Sequence, residues 1–283
     1  MKTIEKHLVP ELSQQQRLSD YAVGIFEAIT TRKGIKKAIS QGLIKVNDQR
    51  GTTGKFVNGG ETITLLAPNN KKPVLRFDLE VVYEDDYLAI INKPAGIVVS
   101  GNQKRTVENA LPHNLKDSQQ SDALPRPLPA HRLDHATSGL LLVAKTRSCH
   151  TSLSELFAQR KIEKTYLAIV MGQIKGDELI DQPIKEKSAI TAYKVLKTIP
   201  SDKYDSLHLV RLSPVTGRRH QLRIHMLENK TPILGDKKYF LENKVSKGNG
   251  LFLSSVGLKF DHPVTGLPLE ITIQAPKKFS KIL

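Results

Sequence analysis

The sequence predicts an α+β protein with a large mixed, mostly antiparallel sheet in its main domain and a small α/β domain before it. The 283 residues exceed the usual size of one compact domain. Short β-rich runs recur from about residue 78 to the carboxyl end, separated by turn residues. Helical spacing is confined to a few short stretches. These observations favour two domains, the larger built on one dominant sheet.

The charge balance indicates a polyanionic partner. Lys and Arg number 43 against 28 Asp and Glu, which gives a formal net charge of +15. Lys and Arg side chains that neutralise phosphates release the counterions condensed on a nucleic acid, and this release favours binding. We therefore expect a nucleic acid as the ligand. The single cysteine, Cys149, excludes an intramolecular disulfide and a cysteine metal cluster. Neither a signal peptide nor a membrane-length apolar run is evident, so we expect a cytoplasmic protein that binds no membrane. We also expect a monomer.

The first quarter of the chain predicts a small helical domain. Residues 1–16 are typical of a loose polar arm. From Arg17 onward, apolar residues recur at the three- and four-residue steps of an amphipathic helix: Leu18, Tyr21, Ile25, Phe26 and Ile29. A second helix, Lys33–Gln41, would expose four cations: Arg32, Lys33, Lys36 and Lys37. Strands within 43–48 and 61–68 complete the domain at 17–67.

Proline and asparagine mark residues 68–77 as a linker, with the boundary near residue 72. The second domain, 78–283, opens with two β-rich runs in "LEVVYEDDYLAIINKPAGIVVSG". Strand patterns return in "KTYLAIVMG", "SLHLVRLSP" and "LEITIQAP", and helical spacing appears around Leu153 and after Gly217. No GxGxxG or P-loop precedes a helix, which argues against a dinucleotide or phosphate-loop site.

Asp134, in "HRLDHATSGLLLVAKT", is the main catalytic candidate. A loop aspartate commonly just caps a turn. Here, however, Gly139 permits a sharp turn before a buried strand, and Arg132 would share a face with Asp134 in an extended segment. A helix starting near Arg218 would set Arg219 and Arg223 four apart on one face. A paired arginine keeps a carboxylate ionised and oriented, as a nucleophile requires.

Three other interpretations of this stretch fit less well. The kinase HRD loop lacks the extra leucine found here and requires a later asparagine and an upstream Gly-rich loop. His131 and His135 have zinc-ligand spacing but stand in a segment that is not convincingly helical, so we expect no metal. A glycosidase needs a second acid, and the sequence offers Asp134 no obvious carboxylate companion.

The block His131–Gly139, HRLD-x-x-TSG, resembles the signature of RluA-type RNA pseudouridine synthases. Further blocks follow in the family's order: NKPAG at 92–96, KTYLAIV at 164–170, TGRRHQLRIHM at 216–226, LGD at 234–236 and FDHPVTG at 260–266. The resemblance extends from about residue 78 to the end. It implies a cofactor-free isomerase with Asp134 as nucleophile, Tyr166 on the flipped uracil and Arg223 as the partner of Asp134.

The same resemblance implies that Arg132 stabilises the gap left by the extruded nucleotide, and Arg218 and Arg219 are expected to bind RNA. In the reaction, the C1′–N1 bond breaks, the trapped uracil rotates, and C5 bonds to C1′. A nucleophilic and an elimination route both stay open. The family often has GRTHQ where this chain has Arg218-Arg219-His220-Gln221, and the extra arginine bears on substrate choice rather than on catalysis.

The first domain resembles the S4 RNA-binding domain through Arg17-Leu18, "RKGIKKAISQGLIKVN" and "GGETITLL". This resemblance implies that Arg17 and the cations of the second helix contact RNA. The sequence therefore predicts a synthase acting on structured RNA, with ribosomal RNA ahead of transfer RNA. The alternative is a non-catalytic RNA-binding or ribosome-assembly protein that keeps the fold. For Lys93, an active-site role and a turn role fit equally well.

Overall fold

The computed structural model describes residues 3–67, 73–174, 176–242, 248 and 250–282. The chain forms two compact units, Met1–Lys72 and Pro73–Leu283. Of the predicted linker at 68–77, residues 68–72 lie outside the described residues. Within the described ranges, no helix combines the length and the apolar character needed to cross a membrane.

Unit 1 has its own apolar core, which includes Leu18, Phe26, Ile35 and Ile63. Four of its strands form one antiparallel sheet in the order β1-β6-β3-β4, and β2 pairs with β5. In chain order its elements are β1 Thr3–Leu8, β2 Gln16–Arg17, α1 Leu18–Tyr21, α2 Arg32–Ser40, β3 Ile44–Val46, β4 Gln49–Arg50, β5 Phe56–Val57 and β6 Thr62–Leu66.

The predicted polar arm at 1–16 is wrong, because Thr3–Leu8 is an edge strand that pairs with β6. An edge strand is held by backbone hydrogen bonds and needs little apolar side-chain burial, so its polar sequence gave no strand signal. The predicted first helix also ends early, at Tyr21, and Gly24 then adopts a φ of +85°. Phe26 is nevertheless buried, so the apolar pattern predicted burial correctly but not conformation.

The second predicted helix is confirmed as α2. Its first turn is capped by Thr31, whose hydroxyl accepts a hydrogen bond from the backbone N–H of Gly34. Ile35, Ala38 and Ile39 face the core. The opposite face is exposed and cationic.

The described part of unit 2 is built on a ten-stranded sheet, mostly antiparallel, in which β10 and β15 form a parallel pair. This confirms the predicted fold class. Eight strands follow the order β12-β13-β14-β11-β15-β10-β8-β7, with β16 on β15 and β9 on β10. Its elements are β7 Glu80–Glu84, β8 Leu88–Lys93, α3 Val107–Asn114, β9 Ala123–Pro129, β10 Ser138–Thr146, α4 Arg147–Ala158, β11 Glu163–Met171, β12 Glu178–Asp181, β13 Ile190–Ser201, β14 Asp205–Pro214, α5 Gln221–Glu228, β15 Leu253–Asp261, β16 Pro268–Thr272 and α6 Lys277–Ser280.

The centre of this sheet is buried on both faces. On β10, Leu141 and Val143 join one apolar cluster, while Leu140 and Leu142 join another. The first cluster includes residues of α3 and α5, and the second includes residues of α4. Side chains alternate across a strand, so a strand covered on both faces reads as a continuous apolar run. This rigid layer ends at Ser138, directly after the loop that carries Asp134.

Candidate active site

Asp134 lies in the loop between β9 and β10, where the buried part of the sheet ends. The N–H of Thr137 donates to the carbonyl of Asp134 at 3.1 Å, which closes a turn. Gly139 then has a φ of +108° and lies so close to β15 that a Cβ there would overlap the Ser255 carbonyl oxygen. Only glycine fits this position, so the chain enters β10 along one path and the loop before it is fixed.

Lys93 stabilises this loop through the neighbouring NKPAG turn. Its side chain is fully buried, and Nζ donates to the carbonyls of Pro94 and Ile97, both at 2.9 Å. The neighbouring Gly96 N–H donates to the carbonyl of His135 at 2.8 Å and ties the NKPAG turn to the Asp134 loop. Burial lowers the pKa of Lys93 to about 8, although the charge of Asp134 opposes this shift. These contacts favour a supporting role for Lys93.

His131 anchors the other end of the loop. Its Nε2 accepts a hydrogen bond from the backbone N–H of Leu142 at 3.0 Å, and its ring packs on Phe157 at 4.9 Å between centroids. Burial, together with the positive charge of Lys164, lowers the pKa of His131 to about 4. The imidazole is therefore neutral near pH 7, as its acceptor role requires.

Arg223, on α5, joins two carboxylates. Its Nη1 donates to Asp134 Oδ2 at 3.1 Å. Its Nε and Nη2 donate to the two oxygens of Asp236 at 2.6 Å and 2.8 Å. Burial alone would favour the protonated form of Asp236, but the bonds from Arg223 and from the N–H groups of Tyr239 and Lys238 outweigh it, so its pKa is lowered. Asp236 is therefore ionised and fixes the guanidinium.

The segment before α5 differs from the prediction. The helix begins at Gln221 rather than near Arg218, because His220 at its N-cap adopts the left-handed conformation, with a φ of 60°. Arg219 consequently lies outside the helix, and the predicted alignment of Arg219 with Arg223 on one helical face is wrong. The His220 ring is held by the Tyr239 hydroxyl at 2.8 Å, and its Nε2 is 3.6 Å from Asp134.

A cavity of about 680 Å³ opens over Asp134. Six of the predicted site residues line it: Asp134, Tyr166, Arg223, Arg132, Arg218 and Arg219. Two further cations, Arg160 and Lys164, also face it. Asp134 is the one acid among the described residues that line the cavity. A lone carboxylate among six cations suits a polyanionic ligand that meets one nucleophile.

Tyr166 forms part of the cavity wall from β11. It is 8% exposed. Burial raises the pKa of its hydroxyl to about 12, and the negative charge of Asp134 adds to the effect. The phenol is therefore neutral at physiological pH, and its ring presents an apolar surface beside Asp134.

The remaining predicted RNA-binding residues belong to unit 1. Lys33, Lys36 and Lys37 are exposed on α2. Arg32, also on α2, is exposed and forms an ion pair with Asp20 at 2.6 Å. Arg17 is exposed on β2, with its guanidinium 5.8 Å from the centroid of the Phe56 ring.

Sequence reasoning missed several residues around Asp134. It gave Asp134 no acidic companion, yet Asp236 shares Arg223 with it. It gave His220, Arg160 and Lys164 no role at the site, although all three line the cavity. The LGD block at 234–236 was a usable signal for Asp236, because a buried aspartate after a glycine turn needs a cationic partner.

Comparison with known proteins points to one family. The pattern of the family described as "RNA pseudouridylate synthase" matches residues 87–228. An RNA pseudouridine synthase of Aquifex aeolicus is 32% identical over 95% of this chain and 93% of its own length. The ribosomal large subunit pseudouridine synthase D of Vibrio parahaemolyticus is 33% identical over 92% of this chain and 88% of its own.

A solved structure agrees. Human RNA pseudouridylate synthase domain containing 4 superposes with a TM-score of 0.57 at 25% identity, covering 71% of this chain and 90% of the human chain.

Proposed function

The chain belongs to the RNA pseudouridylate synthase family, and we propose that it converts specific uridines of large-subunit ribosomal RNA to pseudouridine, with Asp134 as nucleophile. The relative from Vibrio parahaemolyticus is named for action on the large ribosomal subunit, and its match spans nearly the whole chain. A bacterial-type enzyme acting on ribosomal RNA would work in the cytoplasm, and we propose that it does so as a monomer.

The observation that carries the proposal is the position of Asp134. It is the single acid of the described cavity lining, and Arg223 holds it at 3.1 Å. Arg223 divides its hydrogen bonds between Asp236 and Asp134. It therefore orients the Asp134 carboxylate, while its single positive charge is shared between two carboxylates. A carboxylate held in this way is ready to act as a nucleophile or base.

The reaction needs no redox partner, since it only moves one bond. Asp134 either attacks C1′ or removes the C2′ proton. In both routes the C1′–N1 bond breaks, the uracil turns within the cavity, and C1′ bonds to C5. As that bond forms, the Asp134–C1′ ester bond breaks in the first route, and in the second route Asp134 returns the proton to C2′. C5 then loses its proton, and N1 of the product carries one, so atoms and charge balance.

The cavity lining supports handling of an extruded base. An enzyme that acts on a paired base must take it out of the stack, and aromatic rings and guanidinium planes stabilise an unstacked base. Tyr166 supplies the ring beside Asp134. Arg132 is exposed at the cavity and is suited to fill the gap left in the RNA. Arg218 and Arg219 are suited to the neighbouring backbone.

We also propose that unit 1 is an S4-like domain that supplies affinity and address. Its support is the exposed cationic face of α2 and the Arg17–Phe56 pair, which together offer phosphate contacts and a stacking surface. The described residues that line the Asp134 cavity all belong to unit 2.

The test is to map pseudouridine in total RNA from cells that lack the protein, complemented with either the wild type or Asp134→Asn. We expect one or more large-subunit sites to disappear and to return only with the wild type. Restoration by Asp134→Asn would support the non-catalytic alternative. Loss confined to transfer RNA would overturn the proposed substrate but keep the activity.

A further inference from the structure

Lys164 is an unusual cation among those that line the Asp134 cavity. It lies on β11, is only partly exposed, and faces the cavity with Tyr166. Within the described part of the chain, its Nζ forms neither a hydrogen bond nor an ion pair. Burial lowers its pKa, which means that the protein carries the cost of a partly desolvated ammonium. Such a cost without a partner points to a ligand.

The other cations of the cavity differ from Lys164 in one of two ways. Arg223 is buried but fully paired with Asp134 and Asp236. Arg218 is partly buried, and its Nε donates to the Ser188 carbonyl at 2.9 Å. The remaining three are exposed, where water solvates a guanidinium at little cost: Arg132, Arg160 and Arg219. Lys164 alone, among the described lining residues, is a cation that is both partly desolvated and unpaired.

The position of Lys164 relative to Tyr166 indicates the chemical class of its ligand. Residues two apart on a strand share a face and are separated by roughly 7 Å. If Tyr166 holds the extruded base, Lys164 lies one short step away along the same wall. The anions that structured RNA offers at this range are backbone phosphates, and an ammonium suits a phosphate as a point charge.

We propose that Lys164 is the cation that binds the backbone phosphate flanking the extruded uridine. This inference rests on the proposed function and adds a residue that positions the substrate through its backbone. Binding would give the ammonium the partner that it lacks, and it would hold the nucleotide with its base against Tyr166 and its sugar over Asp134. Arg160, an exposed residue of the cavity lining, would supplement the charge but not the fixed position.

The test uses the full-length protein and a large-subunit ribosomal RNA transcript, with Lys164→Met and Lys164→Arg. Methionine keeps most of the length of the side chain and removes its charge, and it relieves the desolvation cost, so the variant should fold. We expect Lys164→Met to bind roughly tenfold more weakly and to lower the slope of log Kd against log salt by about 1. Lys164→Arg should restore most of the affinity.

Lys161→Met is the matched control, because Lys161 is exposed, precedes the same strand and does not line the cavity. It should change neither affinity nor slope. If Lys164→Met and Lys161→Met behave alike, the inference is wrong. This binding result is independent of turnover: a wild-type protein that forms no pseudouridine would overturn the proposed function, whereas an active wild type with an unchanged Lys164→Met slope would overturn only the role of Lys164.

A second measurement identifies the phosphate. In a short RNA around the mapped uridine, one flanking linkage at a time is replaced by a neutral methylphosphonate. Replacing the linkage that Lys164 contacts should weaken binding by the wild-type protein as much as Lys164→Met weakens binding to the unmodified RNA. In the Lys164→Met variant, the same replacement should cause no further loss of affinity. Additive losses at both flanking linkages would exclude the assignment.

Discussion

Asp236 accepts two hydrogen bonds from Arg223, at 2.6 Å and 2.8 Å, and this pair sets the direction in which the arginine presents its remaining nitrogen. The side chain of Asp236 is fully shielded from solvent. The carboxylate also accepts the N–H groups of Lys238 and Tyr239 through Oδ1, at 2.9 Å and 3.0 Å. A bidentate pair locked in this way is rigid. Asp236 therefore sets the orientation of the Asp134 carboxylate through Arg223, although Asp236 itself does not line the cavity.

Asp236→Asn should slow turnover while leaving the affinity for RNA nearly unchanged. The amide offers only one oxygen to Arg223, so the guanidinium loses its fixed direction, and misplacement of a catalytic group by about 1 Å can cost on the order of 100-fold in rate. Single-turnover rates and Kd on the same transcript would measure the two effects. Breaking a buried ion pair also destabilises, so circular dichroism must show that the variant is folded.

Asp261→Asn provides the control for that variant, since Asp261 is an exposed acid of β15. It should leave both rate and stability unchanged. A folded Asp236→Asn enzyme with a wild-type single-turnover rate would show that Arg223 needs no clamp.

Asp134→Asn should abolish pseudouridine formation and retain RNA binding. The amide has nearly the same shape but is no nucleophile or base. Because Arg223 stays paired with Asp236, loss of the Asp134 charge leaves no uncompensated buried arginine, and the fold should survive. Product formation and Kd on purified transcript separate the two. Retention of even a few per cent of the activity would contradict a nucleophilic or basic role.

The sequence predicted the large sheet because its signals are local. The run Leu140–Ala144 is apolar at every position, which is typical of a strand buried on both faces. The Thr3–Leu8 strand escaped prediction because its pairing with β6 is made by backbone atoms and depends on a partner about sixty residues away. Local pattern carries no information about such pairing.

The candidate site also combines residues that local sequence patterns identify with residues whose roles depend on distant contacts. Asp134, Tyr166 and Arg223 stand in recognisable motifs, so the sequence identified them as candidates before any geometry was known. The role of Asp236 depends on a contact with Arg223 across 13 residues and a turn, and that of Lys164 on the absence of a partner. Burial and missing partners are properties of the fold, and residue spacing cannot show them.

Neutralising the exposed face of α2, as Lys33→Gln, Lys36→Gln and Lys37→Gln together, should weaken binding to structured RNA without slowing the chemical step. Each lysine that contacts a phosphate contributes about 0.9 to the slope of log affinity against log salt, so the slope should flatten. The rate at saturating RNA should stay near that of the wild type. Filter binding across a salt series and single-turnover kinetics would test both.

A charge-matched control removes three exposed lysines of unit 2: Lys259, Lys277 and Lys281. Equal loss of affinity in both triple variants would mean that net charge alone, and not the face of α2, attracts the RNA. A folded α2 variant that is inactive at saturation would instead give unit 1 a share in catalysis.

His131 should make the protein acid-sensitive between about pH 6.5 and pH 4. Burial lowers the pKa of His131 to about 4, so as the pH falls the unfolded chain binds this proton first, and folding loses stability across that window. Above pH 6.5 the contribution is complete. The difference in pKa between the folded and the unfolded protein corresponds to at most about 3 kcal/mol of stability.

His131→Gln keeps an acceptor for the Leu142 N–H but cannot titrate. Urea unfolding at pH 7 and pH 4.5 should therefore show the wild type losing more stability than the variant, because every other titrating group is common to both. Parallel losses would mean that His131 is protonated as readily in the folded protein as in the unfolded chain, and that its neutral, accepting state does not anchor the Asp134 loop.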